Sequence, residues 1–270
     1  MASDREARRD QGLTLQDALT AEISATAESL SAEDWSRATN CPPWAVRDIV
    51  AHLTRGAETF AAMVDTGLRG ERTFAVSVEA REQRQRELTS LSPTDLVATL
   101  KSAQSHLRST LSNLTTDQLE VLCPHTRGLQ PGWWFVDQRL SELAFHGWDL
   151  HHSIGREREI APSVGQYLLP TLLERNLRTW HKPSPASYGQ WVVQANDLEN
   201  GAWLIEPDDG GVGINRRAAK GDITIEGDAA ALIRWLYGRA NLDELEQAQR
   251  VSIRGARLRL AAWKGMFPSP

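Results

Sequence analysis

Gln138-Arg139-Leu140-Ser141-Glu142-Leu143-Ala144-Phe145-His146-Gly147-Trp148-Asp149-Leu150 is the stretch from which the fold of this chain is read. It lacks proline and carries apolar residues at helical spacing, so it predicts a helix that is largely buried. Glu142 and His146 stand four residues apart, about one helical turn, and therefore share a face. A Glu and a His so spaced also form ordinary surface pairs worth about 0.3 kcal/mol. The apolar neighbours Leu140, Leu143 and Phe145 argue otherwise, because a buried carboxylate without a partner is costly.

A partner is available far upstream. In Trp44-Ala45-Val46-Arg47-Asp48-Ile49-Val50-Ala51-His52-Leu53, His52 lies among apolar residues on a second core-facing helical pattern. A lone histidine in such a place is usually a hydrogen-bonded core residue. Two unusual polar positions in two apolar helices nevertheless suggest each other as partners. His52, Glu142 and His146 together would be the minimum set for a divalent-metal site with vacant positions.

Composition narrows the classes. With 270 residues, 41% hydrophobic and 24% charged, the chain has an ordinary globular composition and is long enough for two packed units. No apolar run approaches the ~18 residues of a membrane span. The N-terminus, Met1-Ala2-Ser3-Asp4-Arg5-Glu6-Ala7-Arg8-Arg9-Asp10, is too charged for a secretion signal, so a cytoplasmic protein is expected. The net charge of -5, with basic residues interspersed among acids, argues against nucleic-acid and membrane partners. Cys41 and Cys123 are the only cysteines, too few for a disulfide framework, and buried or loop thiols are the expected state.

Helical spacing extends from Thr14 to Leu30, from Val46 to Met63 and, behind the Ser92-Pro93-Thr94-Asp95 cap, to about Leu114. Arg81 to Glu87 reads as a solvated helical face or crossover. The turn-rich segment Gly128-Leu129-Gln130-Pro131-Gly132 precedes the fourth long helix, with Trp133 and Trp134 at its start. Four long helices with one long connection describe a bundle, where metal sites are commonly assembled from facing side chains. Beyond Gly155 the character changes. A helix over 162–181 is followed by strands at 191–195, 202–205, 222–227 and 251–255, with a helix from Ala229 to Tyr237 behind the cap Asp228. The expected fold is α+β: a four-helix bundle over 1–160 and a smaller α/β unit over 161–270.

Three stretches resemble one family. Cys41-Pro42-Pro43-Trp44-Ala45-Val46-Arg47-Asp48-Ile49-Val50-Ala51-His52-Leu53 is similar to the C-P-G-W-T-V-R-D-L-V-A-H-L segment of the mycothiol-dependent maleylpyruvate isomerase family, whose bundle is DinB-like. The run Arg139-x-x-Glu142-x-x-x-His146-x-x-Asp149-Leu150 resembles its second signature, and residues Ile225 to Arg239 its sterol-carrier-protein-like C-terminal domain. The resemblance implies that His52, Glu142 and His146 hold a zinc ion or another divalent metal, with mycothiol or a related low-molecular-weight thiol as cosubstrate. Pro43 departs from the family glycine.

Two imidazoles and one carboxylate leave such a centre cationic and open, and a thiol entering it would lose its proton. The thiolate then attacks a small electrophile. If the thiol is eliminated again after rotation about the new single bond, the enzyme is an isomerase; if it stays on the product, an S-transferase. Asp149, three residues past His146, and Asp48, four before His52, are candidates to orient the imidazoles, with a solvent-facing or capping role as the alternative for Asp149. Arg139 either pairs with Glu142 or binds an anionic substrate, Arg239 ends a helix of the second unit within reach of a cleft, and Trp134 either lines a pocket or packs in the core. His151 and His152 are expected at the surface or helix end, and His106, His125 and His181 have no assigned role. Two other functions stay open: a hydrolase using water of lowered pKa, and a non-catalytic small-molecule-binding protein. The electrophile, the metal and the oligomeric state are left open by sequence.

Overall fold

The computed structural model describes residues 2–74, 76–183 and 189–268. The chain divides into two compact units, 1–158 and 159–270.

The first unit is helical. Its long helices are α1 (Ala2–Glu28), α3 (Val46–Leu68), α5 (Pro93–Ser112) and α7 (Gly132–Ser153), joined by α2 (Ala32–Ser36), α4 (Val78–Ser90) and α6 (Thr116–Leu119). α3 packs on α5, α4 and α7, while α1 packs on α7 and α5. Ser92 caps α5 as its sequence predicts, its hydroxyl accepting from the Asp95 N–H at 3.1 Å. α1 begins well before the expected Thr14, because Arg8 pairs with the buried Asp137 at 3.1 Å and Arg9 donates to the Leu114 carbonyl at 2.7 Å. The charged N-terminus is thus tied down by contacts distant in sequence.

Between α6 and α7, β1 (Leu122–Cys123) pairs antiparallel with β2 (Gln130–Pro131). Gly67 lets α3 approach β1: a Cβ there would lie 2.4 Å from Cys123 Sγ. Both cysteines are free thiols, and burial pushes that of Cys123 up to about 11.

The second unit starts with α8 (Pro162–Thr171), a π-helical turn (Leu172–Asn176) and α9 (Leu177–Trp180). Pro170 inside α8 has no N–H to donate, and the ladder widens to the π-helical turn just beyond it. Five strands follow: β3 (Trp191–Ala195), β4 (Ala202–Asp208), β5 (Gly211–Arg216), β6 (Ile223–Gly227) and β7 (Val251–Gly255), ordered β5-β4-β3-β6-β7. β3 pairs parallel with β6; the other neighbours are antiparallel. α10 (Ala229–Leu236), capped by Asp228, lies against α8, and Gly165 permits the crossing because a Cβ there would be 2.5 Å from the Ala230 nitrogen. α11 (Leu242–Gln247) and α12 (Leu260–Met266) complete the unit. Trp191, Trp203, Trp235 and Trp263 are buried in its core. The mixed α+β class is the one that the sequence predicts.

β5 is absent from the sequence expectation, since Gly211 and Gly213 weaken its strand signal and only Val212 and Ile214 point inward.

Candidate metal centre

α3 is apolar on the face buried by Val46, Ile49, Val50, Leu53, Ala57 and Phe60, and His52 lies at the edge of that face. α7 is buried over most of its length and sets Glu142 and His146 one turn apart. The two helices pack together, and the three side chains meet. Glu142 Oε2 lies 2.9 Å from His52 Nε2 and 3.6 Å from His146 Nε2. One ligand atom from each residue fits within 4.8 Å of the others. The side chains keep 18%, 23% and 15% of their surface exposed, so a small molecule can reach them from solvent.

The partners of the outer atoms decide what the site can hold. His146 Nδ1 meets Asp149 Oδ2 at 3.1 Å, and Asp149, fully buried, also accepts the Cys41 S–H at 3.3 Å. A carboxylate can only accept there, so Nδ1 carries a proton and Nε2 is the ring atom that can bind a metal once its own proton is lost. Glu142 Oε1 accepts from Gln138 Nε2 at 3.0 Å. Both carboxylate oxygens are therefore held in place.

His52 is set differently. Its Nδ1 lies 3.2 Å from Arg55 Nη2, and a guanidinium has no lone pair to offer, so Nδ1 accepts and Nε2 donates to Glu142. Ligation through Nε2 moves that proton to Nδ1 and turns Arg55 away. The donor set fits a divalent metal at the cost of that one contact. Asp48 does not orient His52, contrary to the sequence expectation. Its carboxylate accepts from the Ala45 N–H at 2.9 Å and from the Thr89 hydroxyl at 3.3 Å, fixing the start of α3 against α4.

The electrostatics differ between the two rings. Burial pulls His52 below the usual imidazole range, outweighing the hydrogen bond and charge of Glu142. Burial acts on His146 too, but the hydrogen bonds of Asp149 and Cys41 and the charges of Glu142 and Asp149 prevail and raise it to about 9. For Glu142, burial is outweighed by the His52 hydrogen bond and by the charges of both rings, which hold the carboxyl well below its ordinary range.

Arg139 is fully buried; its Nε donates to Gln104 Oε1 at 2.8 Å, while Nη1 and Nη2 have no hydrogen-bond partner among the described residues. It forms no ion pair with Glu142. Burial lowers its pKa to about 10, with the Glu142 charge acting in the opposite sense. Gln104 and Gln16 continue the chain, Gln104 Nε2 donating to Gln16 Oε1 at 3.2 Å and Gln16 Nε2 to the Val136 carbonyl at 2.9 Å. Trp134 is buried with its ring 4.7 Å from that of His125 and 6.4 Å from that of Phe60. Arg239 belongs to the second unit, where its Nη1 donates to the Tyr237 carbonyl at 2.9 Å. Both His151 and His152 lie in the last turn of α7, the expected helix end; His152 stacks on Trp148 at 4.7 Å, whereas His151 is buried and meets Glu22 at 3.0 Å.

Trp44 was not singled out from sequence for the site, yet its ring lies 4.7 Å from His52 and 5.9 Å from His146. Arg55 was also missed. Its spacing of one turn from His52 was the available signal. Cys41, read from sequence only as a buried or loop thiol and as part of a motif, reaches the site through Asp149, more than a hundred residues away.

Fold and site together define a two-unit α+β protein with a two-histidine, one-carboxylate centre inside a helical bundle. The family model described as the mycothiol maleylpyruvate isomerase N-terminal domain matches residues 17–151, and the chain belongs to that family. The crystal structure of the mycothiol-dependent maleylpyruvate isomerase is 18% identical, with a TM-score of 0.65 over 91% of this chain and 92% of that one. The H52A mutant of that enzyme is 17% identical, with a TM-score of 0.64 and the same coverage. At this identity the likeness is one of fold. No curated protein matches the chain by sequence.

Proposed function

We propose that the chain is a divalent-metal-dependent enzyme that activates a low-molecular-weight thiol, mycothiol or a close relative, for attack on a small electrophile. The reaction is a maleylpyruvate-type cis-trans isomerisation or an S-transfer. The observation that carries the reading is the convergence of His52, Glu142 and His146 at one accessible point, with Asp149 fixing the His146 tautomer. Family membership as a mycothiol maleylpyruvate isomerase supports the thiol and the isomerase class. A divalent metal held by these three side chains would favour the thiolate over the thiol and stabilise negative charge developing on the electrophile.

The remaining residues have definable tasks. Asp149 and Gln138 hold His146 and Glu142 in their ligating orientations. Trp44 packs beside both imidazoles and excludes water from one side. Arg139 is a buried positive charge in the field of Glu142, whose carboxylate helps to keep the guanidinium protonated.

Elemental analysis of wild type and His52→Ala, with calorimetric mycothiol binding on the same samples, tests the reading. Near-stoichiometric metal in wild type, lost in the variant together with thiol binding, is the expected result. Turnover of maleylpyruvate without net thiol consumption then selects isomerisation, and loss of free thiol selects transfer. Negligible metal in both proteins would overturn the reading.

A further inference from the structure

The segment between α2 and α3 is folded back on itself around Thr39. The Thr39 N–H donates to the Trp44 carbonyl at 3.0 Å, and its hydroxyl donates to the same carbonyl at 2.9 Å while accepting the Cys41 N–H at 3.1 Å. The Trp44 N–H returns to the Cys41 carbonyl at 2.9 Å, and an antiparallel bridge between Ala38 and Ala45 closes the loop. The segment is thus ordered by its own backbone, and it sends two side chains toward α7. One is the Trp44 ring, 5.9 Å from that of His146; the other is the half-buried Cys41 thiol, which donates to Asp149 Oδ2 at 3.3 Å.

The thiol belongs to a closed set of contacts. Asp149 Oδ2 also meets His146 Nδ1 at 3.1 Å, Cys41 hydrogen-bonds His146 as well as Asp149, and one atom from each of the three residues lies within 4.8 Å of the others. Asp149 is fully buried, and a carboxylate shut off from water is sensitive to the loss of any donor. His146 and Asp149 both belong to α7, so their mutual contact alone ties neither to another element. The S–H reaches the same oxygen from the segment before α3, and so joins the pair to the helix that carries His52. The imidazole is gripped at Nδ1 and presents Nε2, the atom 3.6 Å from Glu142 Oε2.

We propose that Cys41 is a positioning residue: its S–H holds the Asp149 carboxylate against His146 Nδ1 and so keeps Nε2 aimed at the metal position. Its effect on metal retention rests on the proposed metal-enzyme reading; the grip of the thiol on the Asp149–His146 pair does not. A donor and a packing group rank substitutions in opposite order. Serine keeps a donor at this position and alanine keeps none, whereas a sulfur that merely fills space as a small apolar group is replaced more gently by alanine than by serine.

Zinc affinity is measured by chelator competition on wild type, Cys41→Ser and Cys41→Ala. On the metal-free proteins, solvent exchange of the His146 Nδ1–H proton is followed by NMR, the signal being assigned by its loss in His146→Ala. Cys41→Ala is expected to weaken zinc about tenfold, the low end for an outer partner of a metal-bound histidine, and to speed Nδ1–H exchange. Cys41→Ser is expected to return both readouts to near the wild-type level. Alanine that matches wild type in zinc affinity and exchange, or serine that is worse than alanine in both, overturns the proposal. So does a thiolate-to-cobalt absorption band in cobalt-loaded wild type that is missing from Cys41→Ser, because Cys41 is then a ligand. Absent zinc in wild type, with Nδ1–H exchange that still depends on Cys41, defeats the metal-enzyme reading alone and leaves the positioning of His146 standing.

Discussion

The interiors of the two units are built on opposite principles. The second unit buries tryptophan: Trp191 and Trp203 are fully shielded, and the Trp263 ring packs 5.2 Å from Trp191 and 4.7 Å from Trp235. The bundle buries polarity. Gln16, Gln104, Asp137, Arg139 and Asp149 are all nearly inaccessible there, and two donor nitrogens of Arg139 have no partner among the described residues. Apolar cores are assembled for stability alone, whereas polar groups inside a bundle cost desolvation and are expected where they hold functional side chains in place. The difference agrees with the proposed placement of the chemistry in the bundle.

The strongest way to break that contrast is to damage the apolar side. Trp191→Ala removes a fully buried indole and is expected to destabilise the second unit by about 3–5 kcal/mol, seen as a lowered denaturant midpoint. Metal content of the folded protein should stay at the wild-type level, because all three candidate ligands lie in the first unit. Metal loss in a still-folded Trp191→Ala protein would mean that the sheet unit supports the centre, and the division of labour would be wrong.

How much of this contrast was legible in the sequence depends on whether its physics is local. The helical spacing of Glu142 and His146 is local, and so are the apolar faces that bring α3 and α7 together. Those features placed the triad and the α+β class without coordinates. Asp149 was readable in part, being three residues from His146, but nothing nearby indicated that Cys41 would donate to it. Asp48 misled for the opposite reason: its spacing to His52 suits an orienting carboxylate, and the free Ala45 N–H at the helix start competed for it. The role of α4 was hidden because its sequence is polar with weak periodicity, so the inward direction of Gln85 follows only from the pairing of α4 with α3. β5 was lost to its glycines.

A smaller effect sharpens the comparison from the polar side. Asp149→Asn preserves volume while exchanging a carboxylate for an amide beside His146 Nδ1. The amide no longer supplies the charge that fixes the tautomer, and a weakening of metal affinity of about 10–100-fold is expected, with little change in fold stability. Chelator competition measures the first and thermal melting the second. An affinity equal to wild type would reduce Asp149 to a packed, hydrogen-bonded core residue comparable to those of the sheet unit.

The gentlest perturbation is pH, and it acts on the polar interior without altering a tryptophan. In the metal-free protein His146 is raised to about 9 while His52 lies below the ordinary imidazole range, so at neutral pH one ring carries a proton and the other does not. Metal binding at His146 Nε2 must displace that proton. Apparent affinity should therefore rise by about tenfold per pH unit up to about pH 9 and level off above it. The sign for stability is opposite without metal. A raised folded-state pKa contributes stability that is fully present below the unfolded value near 6.5 and is lost as pH rises through 9. The gap between the metal-loaded and metal-free melting temperatures should consequently widen from pH 6.5 to 9. A gap that is flat across this window would show that His146 does not exchange its proton for metal, and that the polar interior of the bundle is as indifferent to pH as the tryptophan core.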